Sequence, residues 1–192
     1  MFIGIGIAVF ITVFWLGIQT SRAGYETAEY EVVETDGKFQ IRKYPQLTTV
    51  STPSNTTKGQ RNSGFGRLFK FISGENEADQ KIAMTTPVFM PSDAEGEAKS
   101  MQFVVPKDVA ASGVPTPKGK DVKVVKVPGA TFVVLKFSGT NTKAKNQKAL
   151  GKLRALVKEK KLKTVGNPTF AYFDPPWTPG PLRRNEVMLK LK

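Results

Sequence analysis

The chain has 192 residues, of which 29 are Lys or Arg and 16 are Asp or Glu, so its formal net charge is +13 at pH 7. It has no histidine and no cysteine, which excludes His and Cys zinc sites, haem ligation through imidazole or thiolate, Cys-His or Ser-His-Asp catalysis, and disulfides. The length suits one domain with an appendage, and the charge points to anionic partners.

The first 20 residues form an uncharged and largely apolar run. At about 1.5 Å rise per residue, a helix of this length crosses the roughly 30 Å core of a bilayer. A cleavable signal peptide is the alternative, because Ser21 and Ala23 supply small residues at a peptidase site, although no Lys or Arg precedes the run. We predict a transmembrane anchor or signal segment over residues 1–20, a linker over 21–28 and one globular domain over 29–192, a single-pass membrane protein with that domain on the exported (periplasmic or lumenal) side.

Two strand-like stretches flank the dipeptide Asp36-Gly37. These are residues 30–33 and 39–44, and Asp-Gly is favoured in the two-residue turn of a hairpin. The sequence therefore predicts a first hairpin here, and residues 47–51 are expected to continue as a strand.

Apolar residues next recur with the spacing of a helix. Phe65, Leu68, Phe69 and Ile72 stand at i, i+3, i+4 and i+7. This spacing predicts one apolar face of a short helix that is closed by Gly74.

Residues 81–90 alternate with the period of two that is typical of a strand. Pro87 inside this segment indicates a sheet edge or a bulge. Residues 101–105 are predicted as its partner, and the small and acidic residues 91–100 as an exposed loop.

A similar order of elements returns after a linker at residues 106–120. Four more strands are predicted at residues 122–127, 131–137, 169–173 and 186–191. Pro128-Gly129 joins the first two as a second hairpin, and Asn141 or Thr142 can cap a long helix. The order hairpin, helix, two strands thus occurs twice, which favours a sheet or barrel of two halves.

The long helix has an apolar stripe formed by Ala149, Leu150, Leu153, Leu156 and Val157. Residues 143–163 also carry eight lysines and Arg154 against the single acid Glu159. We interpret this charge as the solvated face of the helix, with docking on a membrane surface or a partner as the alternative. Nucleic acid is the least favoured partner, because no pattern of stacking aromatics accompanies the lysines.

The segment FDPPWTPGPLRRNEV at residues 173–187 contains four prolines, which fix φ near about −65°. Trp177, Arg183 and Arg184 are therefore presented on a stiff loop, and binding through such a loop costs little conformational entropy.

This segment and KIAMTTPV at residues 81–88 resemble the SOUL haem-binding family, and the resemblance extends from about residue 28 to residue 192. It implies an α+β fold: a distorted eight-stranded β-barrel of two pseudo-symmetric halves with one helix each. It also implies non-enzymatic binding of haem or another porphyrin in a shallow apolar groove beside the first helix, to buffer, carry or sense the ligand. Some members hold the iron through a histidine and others do not, so this chain resembles the second kind.

Two kinds of ligand-binding residue are expected in such a groove. The cations that can pair with propionates are Arg67, Lys70, Lys81, Arg183 and Arg184. The apolar side chains that can contact the macrocycle are Phe65, Leu68, Phe69, Ile72, Met84 and Trp177.

Each candidate also has a structural interpretation. The apolar helix face and Met84 can simply fill the core, and Arg183 or Arg184 can pair with Glu186 or Asp174. The alternative function is that of an accessory subunit of a membrane protein complex that has lost ligand binding, which the missing histidine favours. An enzyme is not indicated, because no acid-base pair, phosphate loop or metal cluster is recognisable.

Overall fold

The computed structural model describes residues 24–54 and 63–192. The strands in these ranges are β1 (Glu26–Thr27), β2 (Glu31–Asp36), β3 (Phe39–Tyr44), β4 (Leu47–Pro53), β5 (Thr85–Thr86), β6 (Val88–Pro91), β7 (Ser100–Val104), β8 (Lys123–Val127), β9 (Ala130–Phe137), β10 (Thr164–Tyr172) and β11 (Asn185–Leu191). The helices are α1 (Ser63–Ile72), α2 (Lys107–Ser112) and α3 (Lys143–Glu159), with a 3₁₀ turn at Gly180–Leu182.

Nine strands form one sheet in the order β2-β3-β9-β11-β10-β6-β7-β4-β8, and all neighbours in it are antiparallel. Strands β1 and β5 form a separate parallel pair. Within the described ranges β2 and β8 each have one neighbour, so the sheet has two open edges. The predicted α+β class is confirmed, but the distorted eight-stranded barrel that the resemblance implied was wrong, because the outer strands β2 and β8 of this nine-stranded sheet do not pair with each other.

The order strand, strand, helix, strand, strand does occur twice, first as β3, β4, α1, β6 and β7, then as β8, β9, α3, β10 and β11. The two sets join where β6 pairs with β10. The first strand of each set pairs with the second strand of the other set. Strand β3 lies beside β9, and β8 lies beside β4.

This exchange contradicts the second predicted hairpin. Strands β8 and β9 are consecutive but are not neighbours in the sheet. Their connection instead passes close to the β3–β4 connection, where a Cβ on Gly129 would lie 3.0 Å from the backbone oxygen of Tyr44. The first hairpin is confirmed, because β2 pairs with β3 and Gly37 takes a φ of 57° in the turn.

Three clusters of buried side chains fill the core. Helix α3 packs Leu150 and Leu153 over β9, β10 and β11, and helix α1 packs Leu68 and Phe71 over β4 and β7. The third cluster, here called the central cluster, contains Ala28, Tyr44, Phe89, Val104, Val134, Ala171, Phe173 and Met188. Helix α3 begins as predicted, with the Thr142 hydroxyl accepting a hydrogen bond from the amide of Lys145 at 3.3 Å.

Three predicted boundaries differ from the structure. Residues 81–84 are not in a strand, and the strand character of that segment begins at Thr85. Helix α2 lies inside the predicted linker of residues 106–120. Strand β1 and the buried Ala28 belong to the folded part of the chain, because β1 pairs with β5.

The predicted membrane localisation is corrected. In residues 24–54 and 63–192, no helix is long and apolar enough to cross a bilayer. The apolar segment of residues 1–20 lies outside the described residues. The membrane complex predicted as a partner gains no support from the described part of the chain.

Candidate functional site

The outer face of helix α1 leaves two phenylalanine rings exposed. Phe69 is 50% exposed and Phe65 is 36% exposed. The rings are nearly parallel, with an interplanar angle of 13° and 5.9 Å between their centroids. Together the two stacked rings form a partly exposed apolar patch on the protein, here called the phenylalanine platform.

The helical period explains why these two rings point outward. Leu68, Phe71 and Ile72 are almost completely buried in the core cluster beneath α1. Phe65 and Phe69 are one helical turn apart, so they stack on the neighbouring face. The rings of Phe65 and Phe103 of that core meet edge to face, with 5.3 Å between their centroids, so Phe65 is packed against the sheet.

Three of the predicted cations lie around this helix. Arg67 donates hydrogen bonds to the Thr52 hydroxyl at 2.8 Å and to the Pro53 carbonyl at 2.7 Å. The Lys70 ammonium lies 3.8 Å from the Glu75 carboxylate, and both side chains are exposed. Lys81 is exposed. It lies near the C-terminal end of the helix, since a Cβ added at Gly74 would be 3.9 Å from the Cγ of Lys81.

The remaining apolar candidates near α1 are less accessible. Leu68 and Ile72 are 0% and 7% exposed, so they belong to the core and present almost no surface to a ligand. Met84 is half-buried and packs against the same core cluster. Of the predicted apolar contacts on α1, only the phenylalanine platform remains accessible.

The proline-rich loop lies on the other half of the molecule. Gly180 lies against Thr140, and Asn185 donates a hydrogen bond to the Gly139 carbonyl at 2.8 Å, just before helix α3. Trp177 is 77% exposed at the tip of the loop. Arg183 donates hydrogen bonds to carbonyls of its own loop, one of them Thr178 at 2.7 Å. No contact found among the described residues brings Trp177 or Arg183 to helix α1.

Arg184 takes part in a buried ionic network. Its guanidinium donates to Glu186 at 2.7 and 2.9 Å and to the Tyr30 hydroxyl at 3.1 Å. Arg42 is fully buried and donates to both oxygens of the same carboxylate, at 2.7 and 2.9 Å. The structural alternative for Arg184, pairing with Glu186, is thus confirmed.

The sequence analysis missed the other members of this network. Burial lowers the pKa of Arg42, but hydrogen bonding to Glu186 and the charge of Glu186 more than offset this, so the pKa is raised. Burial also raises the pKa of Tyr44 to about 12, despite the Arg42 hydrogen bond. The available signal was the alternation of Gln40, Arg42 and Tyr44 along one side of β3.

Metal ligation has no candidate cluster in the described residues: they contain no group of three or more His, Cys, Asp or Glu side chains suited to an ion. The phenylalanine platform offers apolar surface, and Lys70 and Lys81 are exposed cations near the same helix. These are the two kinds of group that a porphyrin with its carboxylates requires, and none of these side chains is a usual ligand of haem iron.

Comparison with known proteins gives both a family and a fold. The family model described as SOUL heme-binding protein matches residues 25–190. Human Heme-binding protein 2 is 28% identical over 161 residues, which cover 74% of this chain and 78% of the human protein.

Solved structures similar to this chain include the EcmrR C-terminal domain, with a TM-score of 0.52 and 15% identity over 85% of this chain and 98% of that one. A second is described as a hydrolase from Listeria innocua, with a TM-score of 0.54 and 12% identity over 83% and 94% of the two chains. At these identities the two structures support the fold only.

Proposed function

Because the chain belongs to the SOUL heme-binding protein family, we propose that it binds haem or a related tetrapyrrole, without an enzymatic reaction, on the phenylalanine platform of helix α1. The observation that carries this proposal is the pair of exposed and nearly parallel rings of Phe65 and Phe69. The exposed parts of these rings lie outside the core, and apolar aromatic surface that is open to solvent suits an apolar ligand.

Contact area supports useful affinity without a metal bond. Burying roughly 400 Å² of apolar porphyrin surface at about 25 cal/mol/Å² gives on the order of 10 kcal/mol. Association costs at least about 4 kcal/mol of this. The remainder corresponds to dissociation constants around the micromolar range once contacts to the propionates are added.

The propionates are assigned to Lys70 and Lys81. Both side chains are exposed, Lys70 on helix α1 and Lys81 beyond its C-terminal end. Arg67, Arg183 and Arg184 are left out of this assignment, because their guanidinium groups already donate to Thr52 and Pro53, to loop carbonyls and to Glu186.

The proposal is tested by titrating the full-length protein with haemin and following the absorbance. We expect a saturable change in the micromolar range, and binding at least tenfold weaker in a variant with Phe65→Ser and Phe69→Ser. The matched control carries Val32→Ser and Val33→Ser, which replace exposed apolar residues of β2, and should bind within twofold of the parent. No saturable change at tens of micromolar haemin, or equal binding by the platform variant, would contradict the proposal.

The role of the cations is tested by charge reversal, with a control variant of the same net charge. Lys70→Glu with Lys81→Glu should weaken binding about threefold to tenfold, and less at high salt, because these are exposed charges. Lys148→Glu with Lys152→Glu, on helix α3, changes the net charge equally and should leave the affinity unchanged. Equal weakening by both variants would indicate attraction by overall charge and not by this site.

If no residue of the protein ligates the iron, a separate prediction follows. Protoporphyrin IX without iron should bind within about tenfold of haemin, which corresponds to about 1.4 kcal/mol. A preference for haemin above about a hundredfold would show that some residue of the chain ligates the iron.

A further inference from the structure

A small cleft lies at the central cluster, apart from helix α1. Its volume is about 160 Å³. Tyr44, Phe89 and Met188, all nearly buried, contribute to its lining, and the half-buried Phe132 lies at its side. The β3–β4 and β8–β9 connections supply further wall residues, so both sets of strands contribute to this cleft.

The aromatic rings of the cleft are arranged around Tyr44. Phe132 and Phe89 both make edge contacts with its ring. The centroids of the Phe132 and Tyr44 rings are 5.7 Å apart at an interplanar angle of 88°, and those of Phe89 and Tyr44 are 6.3 Å apart at 76°. The Tyr44 hydroxyl accepts a hydrogen bond from Arg42 at 3.4 Å, so its polar end is already engaged. Aromatic ligands gain from edge-to-face contacts with rings held in this way.

Two polar side chains of the lining can orient a ligand by hydrogen bonding. In the described part of the chain, neither the Gln102 amide nor the Thr169 hydroxyl has a hydrogen-bond partner, and both residues contribute to the lining. By contrast, the Thr49 hydroxyl donates to the Val125 carbonyl at 3.3 Å. The lining therefore offers a ligand one or two hydrogen bonds beside an otherwise apolar surface.

The volume of the cleft limits the size of its ligand. Sites for drug-sized molecules typically measure about 300–1,000 Å³, so a tetrapyrrole does not fit here. An apolar cavity of about 150 Å³ holds a benzene molecule. None of the described residues that line the cleft is charged, so an ionised ligand would leave water without a counter-ion.

We propose that this cleft is a second binding site, for a neutral aromatic compound of one ring or two fused rings that carries one hydrogen-bonding group, as phenol and indole do. This inference does not rest on tetrapyrrole binding, because the cleft and the phenylalanine platform have no lining residue in common.

Methionine methyl groups report on the two sites separately. Met188 lines the cleft, whereas Met84 and Met101 pack against the core cluster under α1. In full-length protein labelled with ¹³C at the methionine methyls, indole should shift the Met188 signal saturably, with a dissociation constant on the order of 0.1–1 mM. The Met84 and Met101 signals should stay in place. An unmoved Met188 signal at 10 mM indole, or equal shifts of all three, would overturn the proposal whatever the result of the haemin titration.

Two substitutions in the cleft and one control outside it complete the test. Thr169→Phe fills the cleft and should weaken indole binding at least tenfold, whereas Thr164→Phe, on the same strand β10 but outside the cleft, should not. Gln102→Leu should weaken phenol binding about threefold to tenfold and leave toluene binding unchanged. Thermal melts of all variants establish folding, and indole binding by a folded Thr169→Phe protein at parental affinity would refute the site.

Discussion

Helices α1 and α3 occupy the same place in the two sets of strands, yet they differ in how completely their apolar residues are buried. Helix α3 buries Ala149, Leu150, Leu153 and Val157 on one stripe and covers the rest with polar groups. Helix α1 buries Leu68, Phe71 and Ile72 but exposes the phenylalanine platform. The comparison indicates that a helix in this position can be stable without exposed aromatic rings. The proposed ligand binding accounts for this difference between the two helices.

The largest expected effect tests what the helices share. Leu68 in α1 and Leu153 in α3 are both 0% exposed, so Leu→Ala at either position should lower the free energy of unfolding by about 2–5 kcal/mol. Urea denaturation of the two variants measures both values. A cost below about 1 kcal/mol at one position would show that its helix is not packed as described, and the comparison would fail.

A smaller effect tests the central cluster. Burial raises the pKa of Tyr44 to about 12, whereas an unfolded tyrosine titrates near about 10. Between these values the folded state binds more protons than the unfolded state, so stability falls as pH rises through this window, by roughly 2–3 kcal/mol for this group.

The measurement is denaturation at pH 9 and at pH 11.5 for the parent and for Tyr44→Phe. We expect the variant to lose less stability over this interval than the parent. The same loss in both proteins would assign the alkaline sensitivity to another group. Tyr172 of β10 is one, because burial raises its pKa as well.

The smallest expected effect on stability tests the difference between the two helices most directly. Phe69→Ser should change the free energy of unfolding by no more than about 0.5 kcal/mol, because exposed positions usually contribute little. Leu150→Ser, at a position of α3 that is 2% exposed, should cost several times more. If Phe69→Ser proves as costly as Leu150→Ser, the platform is part of the folding core and the proposed binding surface is lost.

Much of the local structure was predictable from the residues. The spacing of Leu68 and Ile72, and of Leu150 and Leu153, predicted both helices and their buried faces. Asp36-Gly37 predicted the first hairpin, because that turn depends only on adjacent residues. The same kind of signal at Pro128-Gly129 was misleading, since β8 pairs with β4 and β9 pairs with β3 and β11, which are distant in the sequence.

The candidate site was only partly predictable. Helical spacing placed Phe65 and Phe69 on α1 but could not show that these rings stay exposed while Leu68 is buried. The sequence placed Arg184 two positions before Glu186, and only the structure shows that Arg42, 144 positions away, approaches the same carboxylate.

The residues by themselves determined the absence of histidine and cysteine chemistry, the positions of the main helices and most strands, and the family motifs. These properties depend on side-chain type and on periods of two to four residues. Tertiary structure decided the exchange of β3 and β8 between the two sets, the two open sheet edges, the separation of the proline-rich loop from α1, and the burial of Arg42 with Glu186. Each of these depends on contacts between residues far apart in the chain, which local spacing does not encode.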